Sequence, residues 1–238
     1  MYSWGIFKVT IPISGIITPG YTLCWAAKFL DEDHIYSRNL FDHDEMELYG
    51  RIHDLLDEAD GVVTYNGDRF DIPQLNRGFV EVGLGRPAPY NKIDLYKVVK
   101  KNFKFASNKL DYVCQALGLE GKIPTKGMSL WRDCIDGKEA AWIKMVAYNK
   151  QDVRITEQLH NHLLPWIDGY PNYALHSMDK DKLLCPKCGS HRIHKRGLQH
   201  SSTQTYQRYQ CQDCSSWFRG RYTSVPSNQR NLILTEAK

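Results

Sequence analysis

Four cysteines in two closely spaced pairs constrain the C-terminal part of this chain more than any other feature. The pairs are Cys185 with Cys188 and Cys211 with Cys214, and twenty-two residues separate the two C-x2-C pairs. Each pair bends two thiolates toward one ion, and four sulfurs complete the closed tetrahedral shell of a structural zinc site. The spacing predicts a small Zn2+ module that folds with its metal, the alternative being a redox pair or unrelated thiols.

The charge of the chain is distributed unevenly around this module. Residues 180–222 contain nine Lys and Arg against two Asp, a net charge of +7, whereas residues 1–179 contain twenty basic against twenty-four acidic residues, a net charge of −4. A basic module favours a polyanionic partner, and an acidic domain is compatible with a metal site. Basic residues interleaved with aromatic ones suit phosphates and stacked bases.

We therefore predict that nucleic acid is the partner of the module. The predicted substrate-binding residues are Arg192, Lys195, Arg196, Arg208 and Trp217. Two alternatives remain open. The module could carry a basic face exposed only to solvent, and Tyr209, Trp217 and Phe218 could supply its own small core.

Residues 1–166 carry the pattern of a separate α/β domain. Short β-branched runs alternate with segments whose apolar residues recur at helical spacing. The predicted strands cover residues 20–30, 35–38 and 61–65, and the predicted helices cover residues 44–59, 71–82, 108–118 and 138–163. Residues 167–181 are predicted to be a linker, residues 182–222 the zinc module and residues 223–238 a C-terminal tail.

The sequence also indicates the cellular compartment in which the chain is expected. It contains no apolar run of about 18 residues and no signal-peptide pattern, so we expect no membrane partner. The seven cysteines are then expected to be free thiols or metal ligands, as is typical of a reducing compartment. We expect a cytoplasmic location, or the host cytoplasm if the chain is encoded by a phage.

Two segments of the α/β domain place side chains where a metal-dependent hydrolase needs them. A turn at Asn66-Gly67 follows the strand at residues 61–65, and Asp71 then opens a helix at the rim of the sheet. Tyr148 and Asp152 are four residues apart, on one face of a helix. Carboxylate oxygens bind hard cations such as Mg2+, and two such ions about 4 Å apart promote phosphodiester hydrolysis. The alternatives are that Asp71 is only a helix N-cap and that Tyr148 and Asp152 form a pair on the helix surface.

These segments resemble two motifs of the DEDD 3′→5′ exonucleases, which have an RNase H-like fold. The first is Asn66-Gly67-x-x-Phe70-Asp71-x-Pro73-x-Leu75, and the second, Tyr148-x-x-x-Asp152, is similar to that of the tyrosine ("DEDDy") subgroup. The likeness extends to the proofreading domains of family B DNA polymerases and to stand-alone phage exonucleases. The cysteine pattern is similar to the zinc ribbons of transposases and other DNA-binding proteins.

The resemblance implies a mixed sheet flanked by helices and a site that hydrolyses nucleic acid, with DNA favoured. Asp71 and Asp152 would then be ligands of Mg2+ or Mn2+, and Tyr148 would orient the attacking water. Asn66 would contact the substrate strand or brace the turn. Asp94, at the end of a neighbouring strand, would support the metal ligands without binding the ion itself.

The chain departs from that family in one respect. The family's first motif, Asp-x-Glu at the end of a central strand, is not found in the sequence, so two of the four expected carboxylates are present. The motif could come from an upstream segment or a partner, or the domain could have lost catalysis and kept binding. We therefore expect weak or no nuclease activity from this chain, the alternative function being an inactive nucleic-acid-binding protein. Residues 7–13 are strand-like and could fill the vacant place in the sheet, although Pro12 disfavours this.

Overall fold

The computed structural model describes residues 20–30, 32–124, 127–177 and 181–235 of the 238-residue chain. The chain divides into two compact units, Met1–His160 and Asn161–Lys238. The strand predicted at residues 7–13 lies outside the described residues. None of the helices in the described ranges is both long and apolar enough to cross a membrane.

The first unit is a mixed α/β domain built from four short strands and six helices among its described residues. The strands are β1 Cys24–Ala27, β2 Tyr36–Asn39, β3 Gly61–Thr64 and β4 Asn91–Asp94. The helices are α1 Glu45–Glu58, α2 Asp71–Glu81, α3 Leu95–Asn102, α4 Leu110–Ala116, α5 Met128–Ile135 and α6 Glu139–Leu163, which ends in the second unit. This architecture confirms the predicted α/β class.

Two two-stranded sheets form in this unit. β1 pairs with β2 in antiparallel fashion, and β3 pairs with β4 in parallel, with α2 as the crossover between them. Within the described ranges, no strand bonds to both β1 and β3. Both strands nevertheless belong to one apolar cluster, since Trp25 and Val62 pack with the buried face of α1. Among the described residues, β1 and β3 therefore pack on one helix without a shared strand neighbour.

The core of the first unit forms around α1. This helix begins with a capping box, in which Asp44 accepts the amide N–H of Glu47 and the Glu47 carboxylate accepts that of Asp44. Its apolar face buries Leu48 and Tyr49, and the Trp25 indole N–H donates to the carbonyl oxygen of Leu48 at 2.8 Å. The helix is therefore fixed to β1 by a hydrogen bond as well as by packing.

Glycine permits the close approach of α1 and α2. A Cβ atom on Gly78 would lie 2.1 Å from the Tyr49 ring, which is only 4% exposed. Gly50 in α1 has no atom within 4 Å of its would-be Cβ. The two helical glycines therefore have opposite roles, one required by packing and one merely tolerated.

We expect Gly78→Ala to lower the free energy of unfolding by about 1–3 kcal/mol, because the buried Tyr49 ring must move. Gly50→Ala is the matched control and should raise the same quantity by about 0.5–1 kcal/mol, since alanine favours the helix. Urea unfolding followed by circular dichroism measures both changes. A Gly78→Ala protein as stable as the parent would contradict this account of the helix contact.

The second unit contains an antiparallel sheet of three strands, β5 Ile193–His200, β6 Thr205–Cys211 and β7 Trp217–Thr223, in that order. A four-residue helix, α7 Ser227–Arg230, follows. The Lys187 ammonium donates to the carbonyl oxygens of Leu164, Pro165 and Ile167 at 2.8–3.2 Å. All three carbonyls lie in the turn that follows α6, and one ammonium holds this turn together.

Two helices, α2 and α4, begin without a side-chain cap. The N-cap of α2 is Phe70 rather than Asp71, and no side chain caps that helix. The N-cap of α4 is Lys109 rather than Asn108. In α2 the backbone of the preceding turn satisfies the amide of the second residue, because Ile72 N–H donates to the carbonyl of Gly67 at 2.9 Å. The Asp71 side chain is therefore not used as a cap.

Candidate active site and metal centre

A buried aspartate organises the carboxyl ends of the parallel strands. Asp94 ends β4 and is 6% exposed. Its Oδ1 accepts the amide N–H of Asn66 at 2.7 Å and that of Tyr96 at 3.0 Å. One oxygen thus caps α3 and anchors the turn after β3, so that the two strand ends are held together.

The turn after β3 has a tight backbone conformation. Asn66 has a φ of 65°, in the left-handed region that asparagine tolerates better than most residues. A Cβ on Gly67 would lie 2.5 Å from the Thr64 side chain, so glycine is required there. This geometry is consistent with Asn66 bracing the turn, since its backbone N–H is the group bound by Asp94.

Asp71 is the first residue of α2 and reaches the protein surface. Surrounding protein atoms displace part of the solvent from its carboxyl, and this desolvation is the main cause that raises its pKa above the ordinary value. Repulsion from Asp94 and Asp152 adds to the effect, whereas its own backbone N–H and Lys122 oppose it. The three aspartates therefore form one electrostatic group.

Tyr148 and Asp152 lie one turn apart on α6, as predicted, and Lys122 joins them. The Lys122 ammonium donates to Tyr148 Oη at 3.0 Å and to Asp152 Oδ2 at 2.8 Å. Its side chain and that of Asp152 are each 26% exposed, so the pair is largely shielded from solvent. Burial raises the pKa of the Tyr148 phenol above its ordinary value, and its hydroxyl therefore remains protonated near neutral pH.

The carboxylates fit a hard cation by chemistry, although they do not enclose one. Asp152 Oδ1 is buried and has no hydrogen-bond partner among the described residues, which leaves a carboxylate oxygen available to a ligand. In the described ranges, the four cysteines are the one group of three or more potential metal ligands whose ligand atoms all lie within 4.8 Å of one another. The carboxylate oxygens of Asp71, Asp94 and Asp152 are therefore more widely spaced. These carboxylates would therefore supply only part of a coordination shell for a divalent cation.

We expect Lys122→Met to lower the free energy of unfolding by about 1–3 kcal/mol, because the shielded Asp152 carboxylate loses its donor. Added Mn2+ should raise the midpoint of thermal unfolding more in this variant than in the parent, since a cation can replace the ammonium. Lys138→Met is the control, because Lys138 forms an exposed pair with Asp133. Equal shifts by Mn2+ in all three proteins would contradict a cation site at Asp152.

The four predicted metal-binding cysteines come together in the second unit. Their sulfur atoms form a group within 4.8 Å of one another. The Sγ atoms of Cys185 and Cys214 are 3.5 Å apart, and those of Cys188 and Cys211 are 3.6 Å apart. Disulfide sulfurs are about 2.05 Å apart, whereas Zn–S bonds of about 2.3 Å in a tetrahedron separate sulfurs by roughly 3.8 Å. The distances indicate free thiols arranged around one metal position.

Both cysteine pairs form the same kind of backbone turn. The residue after the second cysteine has a positive φ in each, 71° at Gly189 and 60° at Ser215. The backbone closes the first turn through the Cys185 N–H, which donates to Ser190 O at 2.9 Å. The equivalent bond of the second turn runs from Cys211 N–H to Ser216 O at 3.0 Å. Each turn thus aims two sulfurs at the same position.

We expect the purified chain to contain one zinc ion per molecule. Cys211→Ser should abolish stoichiometric zinc and expose the second unit to proteolysis, because the metal contributes to the folding of so small a module. Cys24→Ser, in the first unit, should retain the metal. Elemental analysis of both variants measures this directly. Retention of one zinc by the Cys211→Ser protein would exclude the four-sulfur site.

The predicted nucleic-acid residues separate into different positions. Arg192 is paired with Asp213 at 2.5 Å. Arg208 lies 4.9 Å over the Trp217 ring and donates to the carbonyl of Arg196 at 2.9 Å. The structure therefore brings Arg196, Arg208 and Trp217 together.

Lys195 lies on the opposite face of the sheet. It pairs in register with Tyr209, the neighbour of Arg208, and side chains alternate along a strand. The Tyr209 and Phe218 rings stack at 6.1 Å on that face. These two half-buried rings pack on each other, in line with the aromatic core that the sequence left open, whereas Trp217 is 49% exposed.

Sequence reasoning missed two residues of these sites. Lys122 lies in a segment without helical or strand periodicity, thirty residues before its partner Asp152. Arg219 lies 3.7 Å over the Tyr206 ring, a contact that depends on the strand register. Because side chains alternate along β7, Arg219 lies on the same face as Trp217, and this alternation could have identified Arg219 as a candidate binding residue.

A parallel strand pair that carries aspartates at its carboxyl edge, beside a helix with a tyrosine and an aspartate, defines an α/β domain with an acidic site. The model of the RNase_H superfamily matches residues 22–164, more than half of the chain. The chain therefore belongs to the RNase_H superfamily, and the matched domain is of a nuclease family that acts on nucleic acid. No curated protein matches the sequence.

Proposed function

We propose that the chain acts on nucleic acid, with DNA favoured, as a metal-dependent 3′→5′ exonuclease of the DEDDy kind. The observation that carries the proposal is that Lys122 donates hydrogen bonds to both Tyr148 and Asp152, and that Asp152 and Asp71 repel each other electrostatically. Asp71 and Asp152 would hold Mg2+ or Mn2+, which activates a water for attack on a phosphodiester bond. The four-cysteine module, proposed to be a zinc ribbon, would anchor the nucleic acid strand.

The residues around this position have separable tasks. Tyr148 Oη accepts a hydrogen bond from Lys122, so its own proton is available to orient a water or to meet Asp152. Lys122 supplies positive charge beside the aspartates and can attract a substrate phosphate. Asp94 keeps the turn that precedes Asp71 in place, since its Oδ1 is occupied by two backbone donors.

A second candidate function is a nucleic-acid-binding protein built on an inactive nuclease domain. The salt bridge between Lys122 and Asp152 favours it, because an ammonium 2.8 Å from the carboxylate opposes a divalent ion there. The absence of the Asp-x-Glu motif favours it too. An upstream segment or a partner that supplied the motif on a strand beside β1 and β3 would favour the enzyme, because each has one strand partner in the described ranges.

We expect at most slow degradation of DNA by this chain, as a ladder that starts from the 3′ end. The substrates are 5′-labelled single-stranded and 3′-recessed DNA in Mg2+ or Mn2+. Asp71→Asn/Asp152→Asn should abolish the ladder, because both proposed cation ligands are lost. Asp133→Asn/Asp136→Asn, which removes two charges from the end of α5, should leave it unchanged.

The outcomes separate the two candidates. A ladder that persists in the Asp71→Asn/Asp152→Asn protein would show that the activity arises elsewhere, and internal cleavage would contradict an exonuclease. No ladder from any of the proteins, with DNA binding retained, would support the inactive binding protein. A ladder restored by a partner carrying the motif would support the enzyme.

A further inference from the structure

One face of the three-stranded sheet concentrates guanidinium groups. We call it the arginine face and define it by Arg196, Arg208 and Arg219 with the rings of Tyr206 and Trp217. Arg196 bonds to Gln210 Oε1 at 3.2 Å, and Arg208 and Arg219 are direct register partners across β6 and β7. The two arginines opposite each other repel, an arrangement that destabilises a sheet unless something else compensates.

The module has no carboxylate to neutralise this face. Between residues 182 and 235 the sequence contains a single acidic residue, Asp213, and Arg192 is paired with it. Each opposed guanidinium instead lies over a ring, Arg208 over Trp217 at 4.9 Å and Arg219 over Tyr206 at 3.7 Å. Cation–π contacts of this kind hold a guanidinium in place without removing its charge. The face is therefore organised for an external polyanion.

The rings decide which polyanion fits. Trp217, on this face, is 49% exposed. A duplex presents phosphates to a protein surface while its bases remain stacked inside, so exposed rings would contribute little to binding it. A single strand presents both phosphates and unstacked bases, and proteins bind such strands by combining basic side chains with aromatic stacking.

We infer that the arginine face is a binding site for single-stranded nucleic acid, in which Arg208 and Arg219 contact phosphates and Trp217 stacks on a base. The inference rests on the proposed function for its choice of nucleic acid as ligand. It does not depend on catalysis, since no carboxylate of the first unit takes part. It also excludes Lys195 from the binding residues, because Lys195 lies on the opposite face of the sheet.

The test is fluorescence anisotropy with the full zinc-loaded chain and a labelled oligo-dT of about 20 nucleotides, long enough to span a single-strand site. The duplex of the same oligonucleotide with oligo-dA is the second probe. Titrations without Mg2+ or Mn2+ prevent cleavage, so that failure of the nuclease proposal leaves this measurement unaffected. The zinc content of each variant confirms that the module is intact.

We expect the single strand to bind at least tenfold more tightly than the duplex. Arg208→Gln and Arg219→Gln should each weaken binding by about tenfold and reduce the salt slope by about 0.7, as expected for the loss of one phosphate contact. Trp217→Ala should weaken binding by about 5- to 100-fold with an unchanged salt slope. Lys195→Gln, which also removes one charge, should change affinity by less than about threefold.

Three results would overturn the inference. Equal affinity for single strand and duplex would show that only charge is recognised. A loss caused by Lys195→Gln as large as that caused by Arg208→Gln would exclude a site confined to one face. Unchanged affinity of the zinc-loaded Trp217→Ala protein would exclude base stacking there.

Discussion

The candidate site depends on the two backbone hydrogen bonds that the Asp94 carboxylate accepts. Parallel pairing of β3 and β4 brings their carboxyl ends to one edge of the sheet, where the chain must turn away twice without strand partners. One oxygen of Asp94 satisfies an amide from each turn, at Asn66 and at Tyr96. A buried amide left without an acceptor costs about 1–3 kcal/mol, so a single side chain stabilises both exits from the sheet. The position of Asp71, five residues after Asn66, follows from this anchor.

The three aspartates differ in which of their oxygens are already hydrogen-bonded. Asp94 Oδ1 is occupied by backbone donors, whereas Asp152 Oδ1 is buried without one in the described ranges, and Asp71 reaches solvent with a raised pKa. Three carboxylates beside one ammonium form an arrangement that stability alone does not favour. Perturbed pKa values and unpaired polar atoms concentrate where a protein binds or transforms a ligand. The perturbed groups are therefore the same residues that the sequence motifs single out.

Local patterns predicted the elements of the fold better than their connections. The helix at residues 44–59 was predicted almost to its ends and forms as Glu45–Glu58, because its apolar spacing and its cap agree. An N-cap role was the alternative for Asp71 from its residue type, yet the backbone of the preceding turn takes that role through Gly67. Either a side chain or a backbone carbonyl can accept the amides at the start of a helix, and the sequence pattern does not show which of them does so.

The sites show the same division between local and distant information. The cysteine spacing and the four-residue step from Tyr148 to Asp152 are local, and the structure brings both sets together. Lys122 reaches Asp152 from thirty residues away, and the pairing of Arg208 with Arg219 depends on a register that includes an irregularity in β6. Contacts of this range follow from tertiary structure, which periodicity does not encode.

The two units treat negative charge in opposite ways. The first collects aspartates around one lysine, so a phosphate approaching that site is repelled until a cation reduces the charge. The cysteine module collects arginines around one aspartate that is already paired, so it attracts a polyanion without help from a divalent ion. Under the proposed function, capture of a strand and chemistry on it would therefore have different ionic requirements. Monovalent salt would act mainly on capture by screening the arginines, whereas the divalent ion would act mainly on chemistry.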